Sequence, residues 1–472
     1  MPPDEFRIPG PFHFSDRCFQ AMNKTLLSSL LQVTTAHILD YLNRLKSRPV
    51  FPSQDQIKAL DGLDFDLPMG TTDPTKVINL LHQLGSPGTV ASAGGRYFGF
   101  VIGSTLPTAL AAHCLAGAWD QCAGLHVLSP VGEKLELVSG RWLKELLRLP
   151  MGSGVGFVTG ATMGNFTGLA TARHALLKQA GWNVEAQGLF GAPEIKVIVG
   201  EQVHVSVLKS LSLLGLGSER VLRLPVDDQG RIKVDTFEFE DGPTIVCLQA
   251  GNVDTGSVDP LNQIIPIAKE KGAWVHIDGS FGLWAAASSK YKHLIEGAEL
   301  ADSWSVDLHK WLNVPYDSGV VICRYPELLK AAMSVNAAYL PAGTPGPYQF
   351  TPGLSRRARG VEAYAALYSL GKSGVAQLIE ECCRHADTMS KMLQEAGYEI
   401  LNDVVLNQVL VDFGERTDEI IQAIQEDGTC WASGTKWQGK SAMRISVSSW
   451  ATTKEDVQVS LKAMIRVAKQ FS

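Results

Sequence analysis

The sequence predicts an α/β protein: a large domain on a mostly parallel central sheet, preceded by an N-terminal helical arm and followed by a small α+β domain. Three observations carry this. With 472 residues, 45% of them hydrophobic, the chain can bury a large core and is too long for one ordinary domain. Past residue 150, short β-branched runs alternate with helical ones, the pattern of βαβ units around a parallel sheet. From about residue 367 the runs regroup into a compact helix and strand set. The expected segments are 1–93, 94–366 and 367–472.

In chain order, residues 21–47 place Leu26, Leu30, Val33, Ile38, Leu42 and Leu45 at helical spacing and form the arm. Residues 48–73, with Pro49, Pro52 and Pro68, read as a connector that ends at a helix starting at Pro74. Ile195–Val199 reads as a strand, Val205–Leu214 as a helix, Val221–Val226 as a strand, and Ile245–Gln249 as a strand feeding a helix at 261–270. Trp274–Asp278, Trp304–His309 and Gly319–Cys323 are strand-like. The small domain is expected from helix 374–396, strand Val409–Asp412, helix 417–425, strand Ala442–Val447 and helix 454–469. Ligands of open α/β sheets collect at the carboxyl ends of the strands, so polar residues there carry most interest.

A net charge of −6 with no Lys/Arg block gives no footprint for nucleic acid or an anionic membrane, which leaves a small-molecule substrate. The eight cysteines form no Cys-x-x-Cys pair and no metal-like group with histidine, as expected of reduced thiols in a cytoplasmic protein and of a site without metal. Residues 1–20 hold Asp4, Glu5, Arg7, Asp16 and Arg17 and no apolar core of a secretory signal. No apolar stretch reaches the length of a membrane span.

Four elements carry chemistry. In Ser303-Trp304-Ser305-Val306-Asp307-Leu308-His309-Lys310-Trp311, a strand delivers a lysine directly behind a histidine. A buried amine can lose its proton and form an imine, whereas a lysine snorkelling from a sheet edge would look the same. The strand Trp274–Asp278 ends in a carboxylate followed by Gly279 and Ser280; it could pair with a protonated pyridine nitrogen or simply cap a turn. Val158-Thr159-Gly160-Ala161-Thr162-Met163-Gly164-Asn165-Phe166-Thr167-Gly168 leads into the helical pattern Leu169–Leu177 and offers free N–H groups and hydroxyls to a phosphate, or ordinary capping. It is neither a Walker loop nor Gly-x-Gly-x-x-Gly. His204 follows the strand 195–199 at a helix start, where an imidazole can stack on an aromatic ring or serve the helix.

Phosphate cradle, ring stacker, ring-nitrogen anion and lysine together are what pyridoxal 5′-phosphate requires. Their order and spacing resemble the fold-type I pyridoxal enzymes, and specifically the group II amino-acid decarboxylases, over Tyr97 to the C-terminal helix. The pieces that match are Gly160–Asn165, Val203–Val207, Ala250–Pro260, His276–Phe281, Asp307–Trp311 and Met443–Ser448. The resemblance implies α-decarboxylation of an L-amino acid to an amine and CO₂, with the cofactor held as a Schiff base on Lys310. Ala161 and Thr162 would hold the phosphate, His204 would stack on the ring, and Asp278 would keep its nitrogen protonated. Asp307 and His309 would support phosphate and lysine, and Ser280 would pack under the ring. Arg444 would face the substrate carboxylate or brace the site.

Asn252 stands where these decarboxylases usually carry threonine and is expected at the cofactor's phenolic oxygen. Trp119-Asp120-Gln121-Cys122-Ala123-Gly124-Leu125-His126 departs from the aromatic decarboxylases' pocket, so Trp119 and His126 are substrate-pocket candidates without naming a substrate. The loop 336–358 resembles a lid whose tyrosine protonates the substrate carbon in the neighbouring subunit; Tyr348 is the first choice and Tyr339 the second. A homodimer with shared sites follows from the same resemblance, and transamination, lyase chemistry, oxidative decarboxylation to an aldehyde, or a non-catalytic regulator or assembly protein on the same fold are the alternatives.

Overall fold

A computed structural model describes residues 24–334 and 346–471. The chain divides into two compact units, Met1–Ala91 and Ser92–Ser472. In the first, helix α1 (Lys24–Arg44) realises the arm predicted from its apolar spacing. Helix α2 (Gln54–Ala59) opens on a Ser53/Gln56 capping box, and α3 (Pro74–Leu80) on the Asp73 side chain, which accepts the Thr75 N–H.

The second unit is built on a seven-stranded sheet in the order β1-β7-β6-β5-β4-β2-β3. Its strands are β1 (Gly154–Val158), β2 (Lys196–Gly200), β3 (Leu222–Leu224), β4 (Thr244–Gln249), β5 (Trp274–Asp278), β6 (Ser303–Asp307) and β7 (Gly319–Cys323). All neighbours are parallel except β7, which runs antiparallel to both β1 and β6. β4 to β7 are buried along their whole length, which is why they read as continuous apolar runs. A second, antiparallel sheet of β8 (Glu399–Ile400), β9 (Gln408–Asp412), β10 (Ser433–Trp437) and β11 (Lys440–Ser446) has the order β10-β11-β9-β8.

Helices α4 (Pro107–Trp119), α5 (Pro130–Leu146), α6 (Ala161–Gln179), α7 (Val205–Leu213), α8 (Leu261–Glu270) and α9 (Pro326–Met333) accompany the large sheet. Then follow α10 (Gly360–Glu395), α11 (Thr417–Asp427) and α12 (Lys454–Ala468). Among the described residues no helix is long and apolar enough to cross a membrane.

Several expected boundaries shift for physical reasons. The run 221–226 pairs with β2 only over Leu222–Leu224. The run 304–309 leaves the sheet after Asp307, because the N–H groups of Leu308 and His309 both turn to the Ser318 carbonyl. The small-residue segment expected to precede a helix is itself the first two turns of α6. Helix 374–396 is the second part of α10, whose course breaks at Gly371 with φ 60°. β1 and β10 escape sequence reading, the first for its two glycines and the second for its polar faces.

Candidate active site

The carboxyl ends of β4, β5 and β6 bring Ala250, Asp278 and Asp307 to one side of the sheet. Lys310 follows in the turn after β6; its side chain is 19% exposed and its Nζ lies 3.0 Å from Asp307 Oδ2. The ring of Phe281 is 6.0 Å from the same amine. Gly103 permits the 99–105 segment to cross this turn, since a Cβ there would stand 1.8 Å from the Lys310 carbonyl oxygen.

Asp278 is buried, and its carboxylate collects donors. Oδ1 accepts the Ser280 N–H at 3.2 Å and the Ser280 hydroxyl. Oδ2 accepts the Asn165 amide at 3.0 Å, while the Ser206 hydroxyl stays 3.5 Å away. Burial pushes this carboxyl up, but His204, the Ser280 hydroxyl, Lys310 and Asn165 outweigh it and hold the group below the usual carboxylate range, so it is ionised at neutral pH. Three firm donors on an anion with about four acceptor positions leave one to spare.

Helix α6 begins at Ala161 without a side-chain cap. The Ala161 N–H donates to Asp307 Oδ1 at 2.6 Å, and Gly164 N–H to the Gly160 carbonyl at 2.9 Å. The N–H groups of Thr162 and Met163 have no acceptor within the helix and are the open donors of its first turn. An anion at this point also meets the positive end of the helix dipole.

His204 is the N-cap of α7; its Nδ1 accepts the Ser206 N–H at 3.2 Å, which puts the ring proton on Nε2. Burial lowers its pKa, and that of His309, so both rings are neutral at pH 7. His309 Nδ1 accepts the Ser318 N–H at 3.1 Å, its Nε2 is 3.3 Å from Asp307 Oδ1, and its ring stacks on Tyr316 at 4.3 Å.

Arg444 on β11 is 7% exposed and donates to the Val253 carbonyl at 3.3 Å; Asp254 Oδ1 is 3.5 Å from the same nitrogen. Its guanidinium lies 6.0 Å from the Phe100 ring, and Tyr97 and Phe100 both stack on Trp431. Asn252 spends its oxygen on its own turn, accepting the N–H groups of Asp254 and Thr255, and its amide nitrogen is buried without a partner. Ser280 turns its hydroxyl onto Asp278.

Three expected residues stand apart. Trp119 ends α4 and His126 pairs with Glu133, away from the Lys310, His204 and Asp278 hydrogen-bond set. Tyr348 is 6% exposed in the one-turn helix Pro347–Phe350, where its N–H donates to the Gly124 carbonyl at 3.1 Å. Tyr339 lies outside the described residues.

The pyridoxal-dependent decarboxylase conserved domain matches residues 67–413. The chain belongs to that family. An aromatic-L-amino-acid decarboxylase of Bacillus atrophaeus is 26% identical, covering 90% of this chain and 92% of its own length. A 4-hydroxyphenylacetaldehyde synthase of Rhodiola rosea is 22% identical, over 95% of this chain and 96% of the synthase. The crystal structure of Oryza sativa TDC with PLP and tryptamine superimposes with a TM-score of 0.88 at 19% identity, covering 96% of this chain and 99% of that one.

This pyridoxal-dependent decarboxylase therefore has the fold-type I architecture expected from its motifs, and pyridoxal 5′-phosphate is its cofactor. The donor set fits that group: an ionised carboxylate with an acceptor position left, two open N–H groups at a helix start, and an amine paired with the Asp307 carboxylate that also takes the Ala161 N–H. Sequence reading passed over Asn165, Ser206, His276 and Ser305, which surround Asp278 or its amide partner. Two spacings gain meaning only once the strands are in place. Asn165 follows Ala161 by one helical turn, and His276 precedes Asp278 by two residues on the same strand face.

Proposed function

We propose that this decarboxylase removes the α-carboxylate of an L-amino acid as CO₂ and releases the amine. The observation that carries the reading is the ionised, donor-wrapped Asp278 on the strand next to the one that delivers Lys310. When bound, pyridoxal 5′-phosphate supplies a ring that accepts the electrons left behind as CO₂ departs. Lys310 offers the amine that anchors the cofactor. Asp278 holds a proton at the ring nitrogen and so keeps the ring electron-poor. The Thr162 and Met163 N–H groups hold the phosphate, with Asp307 tying the helix start to the lysine turn through the Ala161 N–H. Neutral His204 covers the ring face, and Asn252 approaches its oxygen.

Arg444 braces the wall that carries Tyr97 and Phe100 through its bonds to Val253 and Asp254. Exposed Leu115, Trp119, Val127 and Leu128 form an apolar stretch suited to burial against a second copy, which supports a homodimer in which Trp119 and His126 serve the shared site. The unpaired described cysteines fit a cytoplasmic protein.

Incubating the purified protein and pyridoxal 5′-phosphate with each standard amino acid, and following CO₂ and amine by mass spectrometry, tests the reaction; keto acid without CO₂ overturns it. Lys310→Ala should abolish both turnover and the visible absorption of the bound cofactor. A tyrosine of the 336–358 loop returns the proton to the substrate carbon. Tyr348 would have to leave its buried turn to do so, hence Tyr348→Phe is paired with Tyr339→Phe. The variant whose product moves from amine to aldehyde identifies the donor, and an unchanged amine yield in Tyr348→Phe removes Tyr348 from the role.

A further inference from the structure

Behind Asp278 runs a chain of buried side chains in which each polarity is dictated by the next. The carboxylate only accepts, so the Asn165 side chain must turn Nδ2 toward Oδ2, 3.0 Å away. That aims Asn165 Oδ1 at His276 Nε2, 2.9 Å away, which must then carry the ring proton. His276 Nδ1 is left as an acceptor, 2.8 Å from Ser303 Oγ, and Ser303 Oγ in turn accepts the Trp274 indole N–H at 2.9 Å. The Ser305 hydroxyl also donates to Asn165 Oδ1. Asn165, His276, Ser303 and Ser305 are all fully buried, so water cannot substitute for any of these bonds.

All donors in this chain point toward Asp278. A carboxyl proton on the Asn165 side of Oδ2 would meet the amide's own N–H, and reversing the amide would set Nδ2 against the His276 N–H and the Ser305 hydroxyl. We infer that Asn165 and His276 are positioning residues that hold Asp278 as an oriented anion and thereby set how firmly the cofactor's ring nitrogen keeps its proton. The inference rests on the reading of Asp278 as the ring-nitrogen partner and adds the device that maintains it.

The titratable groups facing Asp278 are His204 at the start of α7, Lys310 after β6, His276 on its own strand and Cys247 on β4. Lys310 acts on the carboxylate through its charge, and the hydrogen bonds of Asn165 go to Ser206, Asp278, His276 and Ser305 rather than to Lys310 or neutral His204, so an effect of Asn165 is separable from theirs.

The test uses the holoenzyme loaded with ¹⁵N-labelled pyridoxal 5′-phosphate and reads the ring-nitrogen shift by NMR across pH, alongside the visible absorption and thermal unfolding. In Asn165→Leu the visible band should still form through Lys310, while the pH at which the ring nitrogen loses its proton falls by at least one unit. His276→Phe should shift it in the same direction by less. kcat should fall at least tenfold in Asn165→Leu with KM within about twofold of wild type. A folded Asn165→Leu whose ring nitrogen titrates as wild type overturns the inference; if that variant does not fold, His276→Phe decides by the same criterion. A wild type that forms no visible band would instead sink the cofactor assignment of Lys310, and the two failures are thus distinguishable.

Discussion

At the residue scale, the site depends on one carboxylate staying charged in a dry place. Asp278 does so because each of its oxygens is met by donors, and because the Lys310 amine adds positive potential. If Asp278 faces the ring as proposed, Asp278→Asn should leave the cofactor bound but remove the charge opposite its ring nitrogen. Two units of lost pKa support correspond to roughly 3 kcal/mol, so kcat should fall about a hundredfold with little change in KM. Steady-state kinetics beside the visible spectrum check this, and a loss below threefold would mean that Asp278 does not face the ring. Lys310 and Asp278 were legible in the sequence because each stands at a strand end next to small or reactive neighbours. Asn165 was not, since an asparagine in a helix of small residues reads as ordinary until the strand opposite it is known.

At the element scale, α6 sits close enough to the sheet to reach Asp278 only because glycines line its contact face. A Cβ on Gly168 would stand 2.7 Å from His276 Cε1, and one on Gly164 2.8 Å from Ser305 Cβ. Gly168→Ala should therefore push the helix from β5 and destabilise the fold by about 1–3 kcal/mol, measured by urea unfolding. The same displacement should weaken cofactor retention in gel filtration; unchanged stability would show that the helix has room to spare. The glycines were visible in the sequence and were read there as phosphate-binding turn residues. Their packing role needed β5 and β6, which join the chain more than a hundred residues later.

At the scale of the whole molecule, buried histidine chemistry gives an acid-sensitive fold. Burial lowers the His276 pKa from 6.5 to about 4. Between these values the unfolded chain binds a proton that the folded chain refuses, so this group's stabilisation is complete above pH 6.5 and is lost as the pH falls, by roughly 3 kcal/mol in all. Depressed Asp278 acts in the same sense, its contribution present above the ordinary carboxylate range and lost on acidification below it. Asp259 opposes them, because burial raises its carboxyl to about 6 and its contribution is lost as the pH rises through that value. The clean measurement is the difference between wild type and His276→Phe in urea unfolding at pH 7 and pH 5. Wild type should lose more stability than the variant on acidification, and equal losses would remove His276 as the cause.

Local sequence was enough to determine the alternation of strands and helices, the parallel sheet, and the order of the small-residue segment, His204, Asp278 and Lys310, since those rest on periodicity and on residue types at strand ends. It also sufficed for the family, through motifs that keep their spacing. Tertiary structure alone decided where the strands stop, that Tyr348 is packed away in a turn, and that Arg444 is tied to Asp254. It alone joined Asn165 to Asp278 across 113 residues, because a hydrogen bond depends on where two atoms end in space, which no local pattern records.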